Sequence, residues 1–197
     1  RPNVVMVFID DGGYDDFSPF GKPQYPTPNV NTLAEEGRSF YNFYVPQAVC
    51  SASRAALLTG CYPGRTGVFG AIGPHRPGLE PQFATLGEVM KKNGYVTACF
   101  GKWHLGDVDG RRPQSRGFDE TCGLMYSNDM WPNHPQHPEN YPPLPYWDNN
   151  KVTIDEITNE DQDMLTTWYT EKSVDFINKY KEEPFFLYVP HSMAHVP

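Results

Sequence analysis

Asn3-Val4-Val5-Met6-Val7-Phe8-Ile9 is an almost unbroken apolar run, and no other feature of the 197 residues limits the fold so strongly. A strand with one wet face alternates apolar and polar residues. A continuous run of this length instead predicts a strand buried on both faces in a parallel sheet. Tyr95-Val96-Thr97-Ala98-Cys99-Phe100 reads as the next strand, and Pro184-Phe185-Phe186-Leu187-Tyr188-Val189 as another buried one. Helical patterns lie between them. Thr27 stands as an N-cap, Pro28 at the first helical position and Gly37 just past the end. A second helix is predicted over 86–93, before Gly94, and a long one over 165–181. In the long one Leu165, Trp168, Tyr169, Phe176, Ile177 and Tyr180 share the inner side, and the charges form a solvated face. Ser39-Phe40-Tyr41-Asn42-Phe43-Tyr44-Val45 reads as one more strand. Strands alternating with helices predict a layered α/β fold.

Chemistry-bearing residues follow these elements. The first strand runs into Asp10-Asp11-Gly12-Gly13, and sites in open α/β sheets gather beyond the carboxyl ends of strands. Two adjacent carboxylates there suit a hard cation such as Ca²⁺ or Mg²⁺, although Asp-Asp-Gly also makes an ordinary turn. The next strand leads to Gly101-Lys102-Trp103-His104-Leu105-Gly106. In an extended segment Lys102 and His104 project to one side, where an ammonium and an imidazole can bind an anion and exchange a proton with it. Cys50-Ser51-Ala52-Ser53-Arg54 places a thiol just before a predicted helix start, with a guanidinium one turn further in. A helix N-terminus favours an anion and can make a thiol reactive, while a buried cysteine beside a capping serine fits the same letters.

The net charge of −8 argues against general nucleic-acid binding, which needs a basic surface, yet leaves room for a local positive pocket. No stretch approaches the length and apolarity of a membrane span. Four cysteines, Cys50, Cys61, Cys99 and Cys122, are too few for a dense disulfide framework and leave the compartment open. A loop-rich insertion is expected at about 107–150. Within it Trp131, His134 and His137 suit either a sugar-binding wall or loop packing, and His75 and Arg76 in an earlier loop are equally ambiguous.

Cys50-Ser51-Ala52-Ser53-Arg54, followed by Leu57-Leu58-Thr59-Gly60 and Gly64-Arg65-Thr66-Gly67, resembles the signature of the type I sulfatases. The third signature residue is usually proline and here is Ala52, a variant also found in the family. Gly101-Lys102-Trp103-His104-Leu105-Gly106 resembles the family's second signature, and Met125-Tyr126-Ser127-Asn128-Asp129-Met130-Trp131 a segment near its sulfate pocket. The string from Phe185 to His195-Val196-Pro197 resembles the segment carrying a substrate-binding histidine. The resemblance implies an alkaline-phosphatase-like fold with a largely parallel central sheet flanked by helices. It also implies hydrolysis of sulfate monoesters on a carbohydrate or aryl group. Cys50 would be oxidised by a maturation enzyme to formylglycine, whose hydrate attacks sulfur and whose second hydroxyl later loses a proton so that sulfate is expelled.

By the same resemblance the catalytic residues are Cys50, Arg54, Lys102, His104 and His195, with Ser127 near the sulfate pocket; His191 behind His195, and Trp131 by its aromatic ring, are further candidates on the substrate side. Asp10, Asp11 and the converted Cys50 would hold Ca²⁺ or Mg²⁺. Three ligands fall short of the usual six or so, and the family completes the site with a later Asp-Asn pair and a second lysine. Asp148-Asn149 has the right letters but precedes the His195 segment, so residues 1–197 are expected to be the N-terminal portion of one catalytic domain. The implied location is secreted, periplasmic or lysosomal. The rival readings are a phosphomonoester or phosphonate hydrolase of the same fold, and a non-catalytic binding protein with unmodified Cys50.

Overall fold

The computed structural model describes residues 1–196, and divides into a unit of Arg1–Asp10 with Pro46–Pro197 and a smaller unit of Asp11–Val45. Pro197, which closes the His-x-Pro string, lies outside the described residues. The larger unit is built on one mixed sheet. Its strands are β1 (Val4–Phe8), β2 (Val96–Phe100), β3 (Glu120–Gly123), β4 (Tyr146–Asp148), β5 (Lys151–Ile154) and β6 (Phe185–Pro190), in the order β1-β6-β2-β3-β4-β5. β1, β6, β2 and β3 run parallel, and β4 and β5 close the far side as an antiparallel pair. The helices α2 (Cys50–Thr59), α3 (Pro63–Thr66), α4 (Leu86–Lys92) and α5 (Asn159–Tyr180) belong to the same unit.

The core sits around β6 and β2. Every residue of β6 is buried, and Phe186, Leu187 and Tyr188 pack with Phe100, Phe118 and Phe176. That burial explains the unbroken apolar run, as expected for a central parallel strand. β1 differs from the expectation. It pairs only with β6 among the described strands, and Val5 and Val7 are 49 and 57% exposed, so its run is buried on one face only. Apolar composition measures what a strand tolerates, and neighbouring elements decide what it buries.

α5 starts six residues before the predicted boundary. Thr158 accepts the Asp161 N–H while the Asp161 carboxylate accepts the Thr158 N–H, so a capping box begins the helix on a polar first turn. The apolar face used to find the helix begins only at Leu165. The region 107–150 contains β3, β4 and short 3₁₀ turns at Pro113–Arg116 and Pro138–Asn140. Asn149 and Asn150 both adopt left-handed backbone between β4 and β5, the two-residue hairpin geometry that asparagine accommodates well. Asp148 pairs with Lys172, and Asn149 accepts the Thr121 N–H, so both serve the hairpin.

The smaller unit carries a 3₁₀ turn at Tyr14–Asp16 and α1 (Pro28–Glu36), flanked by Thr27 and Gly37 as the sequence predicts. Thr27 caps no helical N–H; its hydroxyl accepts from Ser18 N–H. The expected strand at 39–45 does not form. Phe40, Tyr41, Phe43 and Tyr44 are exposed, Tyr41 packs on Phe20, and the Phe43 carbonyl accepts from the Tyr14 hydroxyl at 2.5 Å. A strand needs a partner edge, and among the described residues this segment has none.

The carboxyl ends of the parallel strands are locked together by two close backbone approaches. Gly101 has φ of 143°, and a Cβ there would stand 2.0 Å from the Pro190 carbonyl oxygen; at Gly123 it would stand 2.2 Å from the Gly101 oxygen. Gly101→Ala is therefore expected to cost at least ~1–3 kcal/mol from backbone strain alone, measured by denaturant unfolding. Its neighbour Lys102 should lose its fixed place as well.

Asp119, at the start of β3, offers a pH test. Partial burial raises its pKa, but Lys91 at 2.6 Å and the Thr97 N–H and hydroxyl outweigh this and hold the carboxyl below its usual range. A depressed folded pKa contributes stability that is full above the unfolded value of about 3.9 and is lost as pH falls through the folded value. Asp119→Asn should lower the thermal midpoint near neutrality, and the gap from the parent should narrow once pH falls below about 3.9.

Candidate active site

The parallel strands deliver their following residues to one edge, where the ladder continues beyond the strands themselves. Lys102 N–H donates to the Pro190 carbonyl at 2.7 Å, His104 N–H to Met125 at 3.1 Å and His191 N–H to Phe8 at 2.8 Å. These bonds seat Asp10 after β1, Lys102 and His104 after β2, Ser127 after β3 and His191 after β6.

Asp10 is buried between two cations. One carboxylate oxygen lies 3.3 Å from Arg54 Nη2, and the other accepts from Lys102 Nζ. Burial by itself would raise the pKa of this carboxyl, but Arg54 and Lys102 prevail and hold it below the usual range. Burial, reinforced by Arg54, lowers that of Lys102, and Asp10 opposes the shift. One carboxylate against two cations leaves the cluster with a surplus of positive charge, as an anion site requires. Lys102 Nζ also donates to Ser127 Oγ at 2.8 Å.

Arg54 is not an open fork. It is fully buried, Nη1 donates to the Lys102 carbonyl at 2.6 Å, Nη2 to the His191 carbonyl at 3.2 Å, and its guanidinium lies over the Phe8 ring. It binds the ends of β1, β2 and β6 together and contributes field more than free donors. Cys50 is the first residue of α2, not the residue before it. Burial pushes its thiol pKa up, only partly countered by Lys102, so a thiolate nucleophile is disfavoured. Ser51 does not cap the helix; its Oγ accepts the Ile72 N–H at 3.0 Å.

His104 has φ of 56°, so the segment from Lys102 is not a plain extended run. Its ring is buried, Nε2 meets the Ile72 carbonyl at 2.9 Å, and burial together with Lys102 and Arg54 holds its pKa well below the usual value. His195 is half-buried and lies within electrostatic reach of Asp10 and His104; its Nδ1 donates to the Val196 carbonyl at 2.5 Å. The structure thus brings together Asp10, Cys50, Arg54, Lys102, His104, Ser127 and His195. His191 is half-buried against Tyr169, with its pKa lowered by burial and then by Arg54, and its main chain serves as a strut. Trp131 is only 3% exposed and belongs to the hydrophobic core, so it presents no ring to a sugar. His134 and His137 stack on each other, and His75 pairs with Asp107. Sequence reading missed Ile72, whose backbone carries the contacts and whose side chain has no chemical signal.

Asp11 begins the smaller unit with left-handed backbone, φ 54°. An ionised Asp10 offers the hard oxygen donors a cation such as Ca²⁺ takes, although its two oxygens already face Arg54 and Lys102. In number the fit is partial, because no group of three His, Cys, Asp or Glu side chains suited to a metal gathers among the described residues. All four cysteines are free. No helix among the described residues is long and apolar enough to cross a membrane.

The family model named Sulfatase matches residues 2–197. The chain is 36% identical over 211 residues to arylsulfatase A of Bos taurus, covering 100% of this chain and 42% of that protein. It is 35% identical over 212 residues to N-acetylgalactosamine-6-sulfatase of Homo sapiens, covering 100% and 40%. The crystal structure of Ps i-CgsB in complex with k-i-k-neocarrahexaose superposes with a TM-score of 0.82 at 30% identity, over 100% of this chain and 46% of that one. The chain therefore spans less than half the length of these relatives. Its mostly parallel sheet with flanking helices is the alkaline-phosphatase-like fold of its structural neighbours. A family match over nearly all residues, on a sheet whose edge gathers the signature side chains, places the chain in the sulfatase family.

Proposed function

We propose that these residues carry the nucleophile and the anion pocket of a sulfuric ester hydrolase acting on a sulfated carbohydrate or aryl compound, as the N-terminal portion of its catalytic domain. The observation that supports this most is the convergence of Cys50, Lys102, Ser127 and His104 around the Asp10–Arg54–Lys102 charge cluster. Relatives named for aryl and for N-acetylgalactosamine 6-sulfate chemistry support the substrate class. Formylglycine made from Cys50 by a maturation enzyme would, once hydrated by water, supply a hydroxyl nucleophile together with a second hydroxyl. Asp10, with Asp11 as its neighbour in sequence, would hold Ca²⁺ or Mg²⁺, whose charge would stabilise sulfate oxygens; further ligands would come from outside residues 1–197. A secreted, periplasmic or lysosomal location goes with this reading.

Each side chain then has a separate task. Lys102, fully buried, gives hydrogens to Asp10 and to Ser127, and its third hydrogen would go to a sulfate oxygen. Because Ser127 Oγ accepts from Lys102, its own hydrogen is directed elsewhere and can donate to the same anion. Arg54 keeps Asp10 ionised and in place and adds positive potential. His104 must remain neutral to act as a base, and burial keeps it so. His195 donates through Nδ1 to the Val196 carbonyl, so a protonated ring would offer its Nε2 hydrogen to the departing alcohol. His191 holds the end of β6, and substrate contact by Trp131 is not part of the reading.

The longer protein that contains residues 1–197, matured in a competent host, should show an aldehyde or its hydrate at position 50 by peptide mass spectrometry, and should turn over an aryl sulfate in preference to an aryl phosphate; residues 1–197 alone should bind metal weakly and turn over little. Cys50→Ala should reduce turnover to background with the fold retained. Sulfatase activity surviving in that variant would remove the nucleophile assignment, and preference for phosphate would move the protein to the other hydrolase class.

Asp10→Ala leaves two buried cations facing each other without a counter-charge. It should cost about 3–5 kcal/mol of stability and abolish turnover, read from chemical denaturation and from the same assay. A parent-like unfolding curve would show that Asp10 does not hold the cluster together.

A further inference from the structure

The loop joining α3 to α4 has little regular structure, yet it is tied down at Ile72 from both sides of one residue. The Ile72 N–H donates to Ser51 Oγ at 3.0 Å, and the Ile72 carbonyl meets His104 Nε2 at 2.9 Å. Ser51 and His104 are both fully buried, so neither contact is exchanged readily for water. The loop is also seated further along. Leu79 N–H donates to the Leu105 carbonyl at 3.0 Å, and a Cβ at Gly78 would stand 2.2 Å from that oxygen. Ile72 is therefore the point at which this seated loop meets the histidine.

A carbonyl oxygen can only accept. His104 must then carry its hydrogen on Nε2, and in the neutral ring Nδ1 is the atom with the lone pair. Nδ1 is buried and has no protein partner. An acceptor without a partner in a buried position is costly unless something donates to it. It is the atom left over for a reacting hydroxyl.

We propose that Ser51 is a positioning residue: by holding the Ile72 N–H, it aims the Ile72 carbonyl at His104 Nε2 and so presents Nδ1 as the base. The inference rests on the reading of His104 as that base. It gives the residue beside the nucleophile a task of its own. α2 carries Cys50 at its first position and Ser51 at its second, so one helical turn sets both the nucleophile and, through Ile72, the proton acceptor. Outward displacement of the loop would release the ring to the other tautomer, with its hydrogen on the atom that must accept.

The test labels histidine with ¹⁵N in the protein and reads ring tautomers from long-range ¹H–¹⁵N correlations, with His104→Gln used to assign the His104 signals. In the unsubstituted protein His104 should show a single Nε2–H tautomer. Ser51→Ala should broaden or split those signals and lower kcat about 10- to 100-fold, with KM little changed. Ser51→Cys, which keeps the side-chain shape with a far weaker acceptor, should do the same and stands in if the alanine variant fails to fold. An Nδ1–H tautomer in the unsubstituted protein would overturn the proposal, and so would a His104 spectrum unchanged in a folded Ser51 variant. Absence of sulfatase turnover in the matured longer protein that contains residues 1–197 would overturn the proposed function separately, since the tautomer is read without any substrate.

Discussion

The Asp10 carboxylate lies between the Arg54 guanidinium and the Lys102 ammonium, and the edge of the sheet is organised by that contact. Three buried charges are tolerable only as a set, since removing one partner strands the others in a medium that solvates them poorly. Arg54 extends the set into the main chain through the Lys102 and His191 carbonyls. The same residues that leave this edge with a surplus of positive charge therefore also hold the ends of β1, β2 and β6 together. Geometry at this edge and electrostatics at this edge are one property.

Rigidity follows from the close backbone approaches. Gly101 and Gly123 let the chain pass within contact of Pro190 and of Gly101 itself, so the segments after β2 and β3 cannot drift apart. Lys102 and Ser127 are presented from these segments and meet at 2.8 Å. Under the proposed function, donors fixed before a tetrahedral anion arrives would spare it any reorganisation. α2 contributes from the other side, with Cys50 in its first turn and Arg54 one turn further in.

Arg54 and Trp131 illustrate how a residue type can be read correctly and its use misjudged. A guanidinium one turn into a helix has the shape to clamp an oxyanion, but here most of its donors are taken by protein carbonyls and Asp10. An indole among prolines and histidines has the composition of a carbohydrate wall, but here it fills the core. Letters along a chain carry the functional groups present; they do not carry how many are already satisfied.

Local rules were enough for much of the molecule. Apolar runs, Thr27-Pro28 with Gly37, and glycine-bounded segments disclosed β1, β2, β6, α1 and α4, because each is encoded within a few residues. The motifs at Cys50 and Lys102 were legible for the same reason; strand polarity in a parallel sheet brings Lys102 to the edge, whereas Cys50 arrives there at the start of α2. Three features were decided only by tertiary structure. β1 leaves Val5 and Val7 exposed on one face, which depends on what packs over the sheet, and the segment 39–45 is no strand because no edge meets it among the described residues. The acceptor atom of His104 is chosen by the Ile72 carbonyl, 32 residues away. Burial, strand partners and backbone hydrogen bonds across such distances are properties of the folded chain, and no short window of sequence contains them.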